Sequence, residues 1–122
     1  MANMTALPYS PARVVGDLVF TAGQIGRDPD TLVAEPGIEP QMHQAMKNLK
    51  FHLENNGSSL SDVIKVTIFL TNMDDYAKCN EIYSSYVVEP YPARTAVAVA
   101  ELPRVSDVEL VVEIEAVAQI RS

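Results

Sequence analysis

A chain of 122 residues, 48% hydrophobic and 20% charged, has the make-up of one globular domain spanning 1–122, with no apolar run near the roughly 20 residues of a bilayer-crossing helix. The net charge of −7, from 16 acidic against 9 basic residues that form no run, argues against nucleic-acid binding, which depends on neutralising phosphates with Lys and Arg. A single cysteine, Cys79, excludes an internal disulfide and, with no basic-then-apolar leader, predicts a cytoplasmic protein.

Residues 1–8 read as a lead-in, and Tyr9-Ser10-Pro11 as an extended approach to a sheet. Arg13-Val14-Val15, Gly16-Asp17 and Leu18-Val19-Phe20-Thr21 predict a hairpin, with Gly16 supplying the positive φ of a type II′ turn. Gly23 follows the second strand directly, where a missing side chain either ends the strand or admits a close approach. Gly26, Pro29, Pro36 and Gly37 make 25–37 a loop. Met42, Ala45, Met46, Leu49 and Leu53 recur at helical spacing and predict a helix from about Glu39 to Asn55, stopped by Asn56-Gly57. His43 and His52 on it have no partners at metal-ligand spacing, so no metal is expected.

Ile64, Val66, Ile68 and Leu70 alternate with Val63, Lys65, Thr67 and Phe69, a strand with one apolar face. Thr71 or Asn72 then caps a helix expected to run to about Val88, with Tyr76, Cys79, Ile82 or Tyr83, and Tyr86 as its stripe and Asn80 beside it. Pro92 opens a strand over Ala93–Ala100. Its two faces are Ala93, Thr95, Val97 and Val99, an ordinary half-buried set, and Arg94, Ala96, Ala98 and Ala100, one cation beside a row of methyl groups. An Arg with free space before its fork can grip a carboxylate through two parallel hydrogen bonds; an Arg at a strand end can equally snorkel to water. Val108 to Ile120 is the longest strand signal, with every even position apolar and Glu109, Glu113 and Glu115 among the odd ones.

This order predicts an α+β two-layer sandwich, β-β-α-β-α-β-β, with both helices on one face of a mixed sheet. The other face, assigned Lys65, Thr67, Arg94, Ala96, Ala98, Val111, Glu113 and Val117, is too mixed for a core and too apolar for water alone. Closure against further copies of the chain is expected.

Five stretches resemble the Rid family of reactive intermediate deaminases (RidA/YjgF-like), in order and over nearly the whole chain. They are Pro8-Tyr9-Ser10, Gly16 to Ile25, Asn80-Glu81-Ile82-Tyr83, Tyr91-Pro92-Ala93-Arg94-Thr95, and Val112-Glu113-Ile114-Glu115-Ala116-Val117-Ala118. The resemblance implies a chorismate-mutase-like fold, a homotrimer with ligand clefts between subunits, and hydrolysis of 2-imino acids or enamines, such as 2-iminobutanoate or 2-iminopropanoate, to 2-keto acids and ammonia without metal or organic cofactor. It assigns Arg94 to the substrate carboxylate, Glu115 to positioning or activating water, Tyr9 and Gly23 to the cleft lining, and Asn80 to polar support. Ala96 stands where the family often has cysteine, leaving only a backbone contact there. The 102–110 segment is several residues longer than the family's usual link, and a one-residue register change would turn Glu115 to the other face. The alternative function is a non-catalytic module of the same fold that binds small carboxylates such as keto acids. Ribonuclease activity, an older label in the family, fits poorly with the acidic charge and the lack of a catalytic His pair.

Overall fold

The structure, a computed structural model, describes residues 7–121; residues 1–6 of the expected lead-in lie outside the described residues. The elements are β1 (Ala12–Val15), β2 (Leu18–Thr21), β3 (Gln24–Ile25), α1 (Ile38–Glu54), β4 (Val63–Leu70), α2 (Tyr76–Ser84), β5 (Ala93–Ala98) and β6 (Val112–Gln119). The sheet order is β1-β2-β6-β4-β5, with the short β3 also paired to β6. Only β4 and β5 run parallel, joined by α2; every other pairing is antiparallel. The expected α+β sandwich on a mixed sheet is therefore present, with one additional short strand. No helix among the described residues is long and apolar enough to cross a membrane.

The hairpin forms as read: Val15 faces Leu18 and Gly16 takes φ +59°. Met42, Ala45, Met46, Leu49 and Leu53 of α1 and Cys79, Ile82 and Tyr83 of α2 close over one sheet face. That face is made by Val19, Val66, Ile68, Leu70, Val112, Ile114, Ala116 and Ala118, so both helices pack on the same side. Asn72 caps the turn before α2 by accepting from the backbone N–H of Asp74 at 2.9 Å. Cys79 lies in this core with its Sγ 3.7 Å from Met42 Sδ, and burial pushes its thiol up to about 11 against the opposing pull of Arg94. It is a packing residue, as the stripe suggested. Thiol reagents are expected to leave Cys79 untouched in the native protein and to label it fully once denaturant is added, followed by mass spectrometry; rapid native labelling would contradict this burial.

Four expectations need correction. First, the last strand starts at Val112 rather than Val108. The buried Gln41 side chain captures the backbone just before it: its amide nitrogen donates to Glu109 O at 2.9 Å and its oxygen accepts from Val111 N–H at 2.8 Å. Second, α2 ends at Ser84, not near Val88; the Ser84 and Ser85 hydroxyls bond the carbonyls of Glu81 and Ile82, one turn back, at 2.9 and 2.6 Å. Third, Ile64 is 48% exposed and Val63 buried, because a bulge between Val63 and Lys65 resets the alternation of β4. Fourth, the two faces of β5 are the reverse of those expected. Arg94 and Ala96 stand beside the buried Val66 and Ile68, on the helix side, with Ala96 packed against the core. Thr95 instead accepts a hydrogen bond from Lys65 Nζ at 2.7 Å on the open side. The uncovered face thus carries Phe20, Lys65, Thr67, Thr95, Val97, Glu113, Glu115 and Val117, without Arg94, Ala96 or Ala98.

Candidate functional site

β5 is the edge strand next to β4, so its helix-side residues meet α2. Tyr76, Asn80 and Tyr83 are spaced i, i+4, i+7 and share one face of that helix, the one toward Arg94. Arg94 Nη1 donates to Asn80 Oδ1 at 2.5 Å and Nη2 donates to the Tyr76 hydroxyl oxygen at 3.1 Å. The guanidinium carbon lies 5.1 Å from the Tyr83 ring centroid and 5.7 Å from that of Tyr76. Both partners are neutral, and none of the salt bridges among the described residues involves Arg94. A guanidinium held still by two neutral acceptors and two aromatic faces keeps its full charge and several N–H groups for an anion. Asn80 thus holds one arm of the Arg94 fork, and Ala96 lies two residues along the same face.

Tyr9 and Gly23 come together elsewhere, in a cavity of about 560 Å³ that also exposes Arg27, His52, Val105 and Glu113. Gly23 is there because of Glu113: a Cβ on it would stand 1.9 Å from Glu113 Oε2. Burial, and secondarily the charge of Glu115, raise the Glu113 carboxyl above its ordinary value. His52 is shifted down by burial, which favours its neutral form. Glu115, the carboxylate expected in the site, instead lines a shallow depression with Phe20, Thr21, Lys65 and Thr67. It pairs with Thr67, which also pairs with Thr95, and so faces away from Arg94.

Within one chain the expected site residues thus form three sets: Arg94, Asn80 and Ala96; Tyr9 and Gly23; and Glu115 alone. Glu113 and Tyr76 were missed. Glu113 and Glu115 share a strand face and cannot be told apart by alternation, whereas the Tyr76–Asn80–Tyr83 spacing on a predicted helix was a usable signal. Among the described residues no group of three or more His, Cys, Asp and Glu could hold a metal ion.

The raised Glu113 carboxyl has a stability consequence. A carboxyl whose folded pKa lies above its unfolded one binds its proton more tightly when folded, so its contribution is present at low pH and lost as pH rises through the folded value. At pH 7 the ionised group opposes folding. In a chain whose Glu113 is not apposed to a second chain's Arg94, Glu113→Gln is therefore expected to add less than about 1 kcal/mol of stability at pH 7, read as a higher thermal midpoint, because solvent screens this half-exposed group. The advantage should shrink as pH falls and vanish below the ordinary carboxylate range, where the group is protonated in both states. A lower midpoint at pH 7 would count against the assignment.

The family model described as Endoribonuclease L-PSP matches residues 2–120. A RutC family protein of Pyrococcus abyssi is 45% identical over 112 residues, covering 91% of this chain and 85% of that protein. A 2-iminobutanoate/2-iminopropanoate deaminase of Dermatophagoides farinae is 41% identical over 105 residues, or 84% of this chain and 81% of that enzyme. The crystal structure of RidA from the Antarctic bacterium Psychrobacter sp. superposes with a TM-score of 0.88 at 41% identity, covering 98% of this chain and 94% of that one.

Proposed function

Because the chain belongs to the Rid (RidA/YjgF-like) family, the one described as Endoribonuclease L-PSP, we propose that it is a deaminase of reactive 2-imino acids and their enamine tautomers. The products are 2-keto acids and ammonia, and the setting is metabolite damage control in the cytoplasm. The observation that carries this reading is the Arg94 fork, fixed by Asn80 and Tyr76 and free of any carboxylate among the described residues. A 2-imino acid carries the complementary group, a carboxylate next to the reacting carbon.

The same proposal accounts for the scattered residues. In a homotrimer with clefts between subunits, Arg94, Asn80 and Ala96 of one chain meet Tyr9, Gly23 and Glu113 of the next. Arg94 binds the carboxylate and orients the protonated imine. Water attacks C2, giving a carbinolamine; transfer of the water's proton to nitrogen and collapse of the C–N bond release ammonia and leave the ketone. Holding water and imine in register supplies most of the acceleration, since the electrophile is already activated. Glu113 is the carboxylate the cavity favours for accepting or holding the water proton, in place of Glu115.

The test is release of keto acid and ammonia across a panel of imines generated enzymatically in the assay. Turnover above the spontaneous rate is expected. Saturable keto-acid binding without turnover would replace the deaminase by a carboxylate-binding module, and neither would remove the reading altogether.

A further inference from the structure

The Tyr76 hydroxyl has half of its hydrogen-bonding capacity uncommitted. Its oxygen accepts from Arg94 Nη2 at 3.1 Å, and a phenol that accepts still has a proton to donate. No acceptor for that proton is found among the described residues. The residue is 40% exposed, so a ligand lying on Arg94 can reach the hydroxyl. Tyr83 differs: its ring also walls the guanidinium, but its hydroxyl is buried and unpartnered.

We infer that Tyr76 is a second anchor for the substrate carboxylate, its O–H donating to one carboxylate oxygen while Arg94 grips the other. The inference rests on Arg94 as the carboxylate-binding residue and adds a directly contacting side chain. The contact with Nη2 and the exposure of Tyr76 carry it: the hydroxyl lies 3.1 Å from Nη2 while Asn80 holds Nη1, so the phenol proton and one further N–H on each of the two nitrogens are left for a ligand. Acceptance from a cation also polarises the phenol and makes it a stronger donor than an isolated tyrosine. The ligand class is a small 2-imino or 2-keto acid; a neutral ketone or amide lacks the charged acceptor that this pair of donors suits.

Tyr76→Phe tests this, because it deletes one oxygen and retains the ring against Arg94. Binding of 2-oxobutanoate, followed by NMR titration into the millimolar range, is expected to weaken about tenfold. In turnover, KM should rise by a similar factor with kcat largely retained. A brace acting only through Arg94 is separated by repeating the substitution in an Arg94→Lys background, where the fork is gone. An anchor predicts a further loss of similar size there; no further loss would overturn direct contact. Binding by Tyr76→Phe equal to wild type would overturn the inference while leaving Arg94 in place. Failure of the wild-type protein to bind 2-oxobutanoate would overturn both this inference and the proposed site.

Discussion

Arg94→Ala is expected to lower kcat/KM for 2-imino acids by about 10²–10⁴, bringing keto-acid release close to the spontaneous rate. Each charge-assisted hydrogen bond contributes about 1.5–3 kcal/mol, two are lost, and about 1.4 kcal/mol corresponds to a tenfold change. Arg94→Lys should fall between, since an ammonium keeps the charge without the two-pronged geometry. Neither substitution should unfold the protein. Arg94 is half-buried on an edge strand, lies outside the hydrophobic cluster, and is held by two neutral partners rather than by a buried ion pair. A circular-dichroism melt close to wild type should accompany the loss. The variant also probes assembly. If one chain supplies Arg94 and its neighbour supplies Glu113, mixing inactive Arg94→Ala and Glu113→Gln chains under exchange conditions restores part of the activity. A site confined to one chain gives no recovery, and full activity of Arg94→Ala alone would remove the guanidinium from the chemistry.

The layered fold was legible because its signals are local. Helical spacing in Met42 to Leu53, alternation in Val66 to Leu70 and the Gly16 turn each act within a few residues, and each formed where expected. The faces of β5 were not legible. Ala93, Thr95 and Val97 look more like a core-facing set than Arg94 and Ala96 do, yet the parallel pairing with β4 sends Arg94 toward α2. Nothing inside the strand encodes that choice; it is made by which residues of β4 the helices cover. The two carboxylates raise the same difficulty. Glu113 and Glu115 share a face, and only the position of Gly23 across the pairing of β3 with β6 distinguishes them. The early end of the last strand depends on Gln41, about 70 residues away in sequence, whose amide competes for backbone groups that a sheet neighbour would otherwise take.

Gln41 also sets the second large effect. Gly26→Ala is expected to cost about 2–5 kcal/mol of stability, lowering the thermal midpoint by about 10 °C or more. A Cβ at position 26 would lie 2.5 Å from Gln41 Cα, Cβ and O alike. Those atoms belong to the body of α1 and cannot swing aside, so the helix must retreat from the loop. Gln41 then loses its grip: its buried amide donates to Glu35 O and Glu109 O, both at 2.9 Å, while accepting from Val111 N–H. Each bond lost inside the fold leaves a desolvated group behind, which adds to the steric cost. Gly23→Ala provides the contrast. The three atoms nearest its new methyl all belong to the Glu113 side chain, which can rotate away, so the fold should survive with a small change in midpoint while the cavity carboxylate is displaced. Denaturant titrations of the two variants separate packing from function. Gly26→Ala should shift the midpoint strongly at unchanged m-value, and Gly23→Ala should lose turnover far out of proportion to stability. If Gly26→Ala melts within about 2 °C of wild type, α1 does not sit against the 25–37 loop as described, and the Gln41 clamp that ends the last strand goes with it.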